Sequence, residues 1–167
     1  MNNAVIFGGT GFIGVSFASF LLQNLAIDKV YLGDIKKVGE KFNNLLKTQL
    51  VDTSRLVYIK GDVRLPIKLP ARVKSVGLIA NFAAIHREPG HEEHEYYETN
   101  ILGAQNVCDW AEKFDCEKIV FASSISPYGL SEQEKDESSI PLPSSAYGGS
   151  KLAAEKIHQI WQAHDSK

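Results

Sequence analysis

Tyr147 and Lys151 stand four residues apart, so on a helix they share one face, one turn from each other. That pairing can make a general base. A free phenol titrates at about 10, too high to take a proton at neutral pH. A neighbouring ammonium and the positive end of a helix both favour the phenolate. Pro141, Pro143, Ser144 and Ser145 precede Tyr147 and predict a helix start just before it. Upstream, the apolar run Ile119–Ala122 leads into Ser123-Ser124-Ile125-Ser126-Pro127-Tyr128-Gly129. A serine hydroxyl at a strand end can donate to, or accept from, a hydroxyl or carbonyl under reaction. Taken singly, each of these features is commonplace; their order and context together carry the argument.

A second group of residues has the spacing to hold a dinucleotide. Gly8, Gly11 and Gly14 recur in Gly8-Gly9-Thr10-Gly11-Phe12-Ile13-Gly14, directly after the apolar run Ala4–Phe7. Gly8 permits the tight turn, Gly11 lets the backbone approach a pyrophosphate, and Gly14 lets the following helix pack closely on the sheet. Free N–H groups at that helix start, with the positive end of its dipole, hold the diphosphate. Phe12 and Ile13 belong to the same turn and count among its cofactor contacts. Asp34 follows 20 residues after Gly14, at the end of a second strand, where its carboxylate can accept from the adenosine ribose hydroxyls. An acidic group there repels a 2′-phosphate, so NAD is expected over NADP; Lys36 and Lys37 soften that preference. A bound nicotinamide would add a further positive neighbour to Tyr147, and Lys151 can hydrogen-bond its ribose.

These residues need a scaffold that brings strand ends together. Short apolar runs predict strands at Ala4–Phe7, Val30–Leu32, Leu56–Ile59, Val76–Phe82 and Ile119–Ala122. Amphipathic stretches predict helices from Phe12 to about Leu25, over Tyr97–Phe114, and from Tyr147 to Ala163. Lys36–Asp52 reads as partly helical, and Leu130–Pro143, rich in Ser, Glu and Pro, as a surface loop. Strands apolar throughout imply burial on both faces, as in a parallel sheet covered by helices. The expected fold is therefore a doubly wound α/β sheet of Rossmann type, with residues 1–167 forming one dinucleotide-binding domain.

The whole composition excludes other classes. Eighteen basic against 20 acidic residues give a net charge of −2, so no overall field attracts nucleic acid or an anionic membrane. No apolar run is long enough to span a bilayer. The start, MNNAVIFGG, lacks a basic segment before a signal-type run. Cys108 and Cys116 are the only two cysteines, fit no zinc or redox spacing, and are expected as free thiols in a reducing cytoplasm.

Taken together, these pieces resemble the extended short-chain dehydrogenase/reductase family, in particular its NAD-dependent epimerase/dehydratase group. The matching segments are GGTGFIG at 8–14, Asp34, Asp62-Val63, NFAA at 81–84, Asn100, SSISPYG at 123–129 and YGGSK at 147–151. They occur in the family's order and cover nearly the whole chain. The resemblance implies that Asp62 and Val63 contact the adenine, and that Phe82, Ala83 and Ala84 run past the cofactor. It places Asn100 near the active site among the cofactor-binding residues, makes Ser124 the catalytic serine, and makes Tyr147 the acid/base with Lys151 as partner. Ser126 and His86 become candidate substrate contacts. Asn81 stands where many relatives carry histidine, and Pro127 where many carry valine. Relatives run to about twice this length, so the chain is expected to be truncated before the last strands and the substrate-binding region. A homodimer through the helix bearing Tyr147 and the helix after the fourth strand is implied by the same analogy.

The activity this implies is NAD-dependent epimerisation of a nucleoside-diphosphate sugar. A dehydratase, another NAD(P)-dependent alcohol dehydrogenase or reductase, and a non-catalytic dinucleotide-binding module stand as alternatives. Many dehydratases place acidic residues beside the fifth-strand hydroxyl, where this chain has Ile125-Ser126, which favours epimerisation. His86, His91 and His94 with Glu88, Glu92, Glu93 and Glu95 lack an HExxH arrangement and predict a solvated loop, not a metal site. Trp110 and Trp161 lie on helical patterns and are expected in the core. Glu132–Glu137 is expected to be a solvated acidic stretch.

Overall fold

A computed structural model describes residues 2–39, 44, 46, 52–68, 70, 73, 75–86, 89–131 and 133–164. Five strands, β1 (Asn2–Phe7), β2 (Ile27–Asp34), β3 (Leu56–Lys60), β4 (Val76–Asn81) and β5 (Lys118–Phe121), form one sheet in the order β3-β2-β1-β4-β5. Every pairing is parallel. Among the described residues the main helices are α1 (Phe12–Asn24), α2 (Glu93–Tyr96), α3 (Gly103–Lys113) and α4 (Ala146–His164), with a π-helical stretch, Tyr97–Leu102, joining α2 to α3; Asn44 and Leu46 are also helical. This is the expected Rossmann-type architecture. The order reverses at β1, which pairs with β2 on one side and β4 on the other. Ligands of such sheets bind outside the carboxyl ends of the strands at that reversal.

Alternation along β1 shows why the run Ala4–Phe7 is apolar throughout. Ala4 and Ile6 pack with Val15, Ala18 and Leu21 of α1, while Val5 and Phe7 pack with Val107, Trp110 and Trp161 on the other face. Trp110 and Trp161 are core residues, as expected, and Phe7 meets Trp110 edge to face at 5.8 Å between centroids. Cys108 and Cys116 are buried free thiols, and burial pushes the Cys108 thiol up to about 12.

Some expectations need correction. The fifth strand is not buried on both faces: it lies at the sheet edge, and Val120 is 39% exposed. The helical path after β4 starts at Glu93, earlier than the predicted Tyr97. Its start is a capping box in which Glu92 accepts from the Glu95 backbone and Glu95 from the Glu92 backbone at 2.9 Å. Part of the acidic and histidine-rich segment is therefore the first turn of a helix and not loop. Glu88 and Glu132 lie outside the described residues, as does most of Lys36–Asp52. The described residues of 130–143 contain no helix or strand and leave Leu130, Ile140 and Leu142 exposed, in keeping with a surface loop.

Candidate active site

A cavity of about 570 Å³ opens at the carboxyl ends of β1, β2, β4 and β5. Gly8, Gly11, Phe12, Ile13, Gly14 and Asp34 line one end; Asp62, Val63, Phe82, Ala83, Ala84 and His86 line its length; Tyr147 and Lys151 close the other end. Fourteen residues singled out in the sequence thus face one space.

The glycine turn is shaped by steric exclusion. Gly8 has φ +72°, and a Cβ there would lie 2.6 Å from the Phe82 carbonyl carbon and from Ala83 N. A Cβ on Gly14 would lie 2.5 Å from the Gly8 carbonyl oxygen, so this glycine lets α1 close on the turn itself more than on the sheet. Gly9, outside the spaced triplet, is equally constrained: its Cβ would meet the Ile6 carbonyl oxygen at 2.6 Å. Gly11 differs. A Cβ there would meet only the Gly8 carbonyl oxygen, at 3.5 Å, and would project where Gly11 lines the cavity. That is the space a pyrophosphate needs above the helix start, so the turn fits a dinucleotide.

Asp34 is tied to this turn. Its carboxylate accepts from Thr10 N–H at 3.2 Å and from Lys36 N–H at 3.3 Å, which sets it at the rim of the cavity. Asp62 is held by Arg64, whose guanidinium donates through Nε and Nη2, the shortest contact being 2.7 Å. The Arg64 hydrogen bond, more than the partial burial that opposes it, holds the Asp62 carboxyl below its usual range. Arg64 itself lines the cavity and was missed in the sequence, although a basic residue two places after Asp62 was the available signal. Val63 turns inward and packs on α3, where a Cβ on Gly103 would meet its Cγ2 at 2.8 Å.

At the other end, Tyr147 and Lys151 lie on α4, which begins at Ala146 as the prolines and serines predict. Ser145 serves that start: its Oγ accepts from Gly148 N–H at 3.1 Å. Lys151 is 2% exposed; its Nζ donates to the Ala122 carbonyl at 2.6 Å and lies 4.0 Å over the Phe121 ring. Burial pulls this amine down to about 8, against the pull of the Glu155 carboxylate. The ring of Tyr147 lies 6.1 Å from that of Tyr96.

Asn100, Ser124 and Ser126 are not brought to the cavity wall. Asn100, in the π-helical stretch, is buried with its amide fully engaged. Its Oδ1 accepts from Ile85 N–H at 3.0 Å, and its Nδ2 donates to the Ile85 carbonyl and to Ser150 Oγ. It fastens the segment after β4 to the helix that carries Tyr147, and so holds the wall in place of forming it. Ser124 Oγ accepts from Ser126 N–H at 3.2 Å and pairs with Ser126 Oγ at 3.1 Å. Ser123 lines the cavity instead, and its hydroxyl donates to Glu155. Among the described residues no cluster of three or more His, Cys, Asp or Glu is placed to hold a metal. His91 instead pairs with Glu95 at 3.2 Å. No helix among the described residues is long and apolar enough to cross a membrane.

A glycine turn, a strand-end aspartate and a Tyr/Lys pair on one cavity is the arrangement that a family comparison can decide. The family model described as "NAD dependent epimerase/dehydratase family" matches residues 4–166. The chain belongs to that family. It is 30% identical over 161 residues to a UDP-glucose 4-epimerase of Halalkalibacterium halodurans, covering 92% of this chain and 44% of the relative. It is 28% identical over 160 residues to an N-acetyl-alpha-D-glucosaminyl-diphospho-ditrans,octacis-undecaprenol 4-epimerase of Escherichia coli O157:H7, covering 96% and 44%. Among solved structures, a UDP-glucuronic acid 4-epimerase of Bacillus cereus in complex with NAD superposes with a TM-score of 0.78 at 25% identity, over 96% of this chain and 52% of that one. The chain spans about half the length of the relatives it matches.

Proposed function

We propose that the protein is an NAD-dependent epimerase of a nucleoside-diphosphate sugar, with Tyr147 as acid/base, Lys151 as its partner and Ser124 on the reacting oxygen. The observation that carries this reading is the common cavity: Tyr147 and Lys151 face the same space as the glycine turn and Asp34. When bound, NAD supplies a reversible hydride acceptor for the carbon that bears the reacting hydroxyl. Asp34 orients the adenosine ribose, and the free N–H groups of the first turn of α1 take the diphosphate. Tyr147 removes the hydroxyl proton and returns it after the sugar has turned. Lys151, buried with Nζ on the Ala122 carbonyl, would hold a hydroxyl of the cofactor ribose. Ser124 leaves Ser126 to bond the same sugar oxygen, and Ser126 and His86 contact the sugar.

Epimerisation is preferred to dehydration because Ile125 and Ser126 supply no carboxyl group beside Ser124 for acid–base loss of water. The relatives named for UDP-glucose and UDP-glucuronic acid support the substrate class, and all three relatives described above are 4-epimerases by name. Exposed Tyr97, Leu102 and Ile160 on the two helices that a pair would use support a homodimer.

The test is to incubate the protein, in the full length its gene encodes, with UDP- and dTDP-sugars and catalytic NAD, following sugar NMR and absorbance at the nicotinamide band. A sugar epimer without net NADH supports the reading. Stoichiometric NADH would make it a dehydrogenase, loss of water a dehydratase, and no turnover with intact NADH binding a non-catalytic module.

A further inference from the structure

Behind Lys151 lies a buried polar pair that the reaction above does not use. Asn81, the last residue of β4, is 2% exposed and reaches Lys151 by two routes. Through its backbone, the Asn81 carbonyl accepts from Ala122 N–H at 3.3 Å, and the Ala122 carbonyl accepts from Lys151 Nζ. Through its side chain, Nδ2 lies 3.3 Å from His158 Nε2. The His158 ring stacks on Phe121, with centroids 4.4 Å and planes 21° apart, and Phe121 is the ring over which Nζ sits.

The hydrogen bonds define the state of His158. Its Nδ1 lies 2.7 Å from the Ala154 carbonyl, a contact only an Nδ1–H can make, so Nε2 of the neutral ring is an acceptor and takes Asn81 Nδ2–H. The remaining amide atom, Asn81 Oδ1, is buried without a partner among the described residues. A buried acceptor left unpaired is rare and calls for a reason.

We propose that Asn81 and His158 are positioning residues for Lys151: neutral His158 holds Phe121 beneath Nζ, while Asn81 anchors both that ring and the carbonyl to which Nζ bonds. The unpaired Oδ1 gives the pair a second state. An imidazolium carries N–H on both nitrogens, so Nε2 can accept nothing, and the Asn81 amide turns over to present Oδ1 to it. The positive charge of His158 then lies against the Phe121 ring over which Nζ sits. Burial keeps His158 below the usual histidine range, the bond to Ala154 opposes this, and the Lys151 charge adds to it. Lys151 and Glu155 are the charged neighbours on its own helix. Glu117 and Lys118, at the start of β5, line the same outer groove, and β4 contributes the uncharged Asn81. The device is therefore on at neutral pH and off in acid.

The consequence for catalysis rests on the reading of Lys151 as a cofactor-binding residue, but the coupling is measurable in the ligand-free protein. With 13Cε-labelled lysine, NMR follows Lys151 from acid to alkaline pH, assigned by loss of its signal in Lys151→Met. Two inflections are expected: a main one for Nζ, and a smaller acid one that coincides with the titration of the His158 ring. His158→Gln, which can still accept from Asn81 but cannot be charged, should lose the acid inflection and keep the main one. His158→Leu, which leaves Asn81 unbonded, should move the main inflection up by about one pH unit as water reaches Nζ. No acid inflection in the wild type, or an unmoved main inflection in folded His158→Leu, overturns the proposal. Should His158→Leu not fold, the wild type and His158→Gln decide. A parallel NADH titration should show roughly tenfold weaker binding, about 1.4 kcal/mol, in acid for the wild type but not for His158→Gln. If NADH binds at no pH, the dinucleotide reading fails while the NMR result still decides the proposal.

Discussion

The two ends of the cavity are built by different means. At the glycine-turn end, main chain does the work: three glycines whose side chains would strike backbone, and an aspartate held by two N–H groups within 24 residues of sequence. At the Tyr147 end, side chains from distant elements meet: Asn81, Asn100, Lys151 and His158 lie on three separate elements and bond across gaps of 15 to 77 residues. At Gly8, Gly9 and Gly14 this main-chain architecture leaves no room for a Cβ. Side-chain architecture degrades bond by bond, and with pH.

That contrast is broken first at the glycines. Gly14→Ala puts a methyl 2.5 Å from the Gly8 carbonyl oxygen. It should cost about 3 kcal/mol or more and abolish NADH binding, read by thermal melting and fluorescence titration. Retained binding would show that the turn adapts, and the difference between the two ends would disappear.

Next comes the alkaline pH dependence. Lys151 titrates at about 8 in the fold against 10.5 ordinarily, so between those values the unfolded chain binds more protons and stability rises with pH. The rise amounts to about 3 kcal/mol. Cys108 acts oppositely: its folded value of about 12 against 9.0 makes the folded state bind more protons above pH 9, and stability falls there. Urea unfolding should therefore show a gain from pH 8 to 9 that then levels off. Lys151→Met should remove the gain, and Cys108→Ala should extend it.

Asn100→Ala leaves Ile85 N–H and Ser150 Oγ short of partners in the interior. It should destabilise the chain by about 2 kcal/mol and weaken NADH binding although it adds nothing to the cavity wall. An effect on stability alone would separate the fastening of the wall from cofactor binding. Asp34→Ser should reduce the preference for NADH over NADPH by roughly tenfold, about 1.4 kcal/mol, measured by competing titrations. The smallest effect is expected at Glu95→Ala, which removes one half of the α2 capping box and should cost about 1 kcal/mol with cofactor affinity unchanged.

Local sequence determined the strands, the turn and the start of α4. An apolar run, a glycine at φ +72° and a proline–serine helix entry depend on neighbours close in the chain. The spaced glycines and Asp34, like Tyr147 and Lys151, were legible for the same reason: strand-turn-helix and helical periodicity fix where those residues point. Resemblance to a family supplied Asp62, Val63 and the 82–84 segment, which periodicity alone does not mark. Only the tertiary structure decided that Ser124 bonds Ser126, that Asn100 fastens the wall, and that Arg64 grips Asp62. It alone joined Asn81 to His158, because a hydrogen bond between residues 77 apart is set by how β4 and α4 pack. No local rule of composition or spacing encodes that contact.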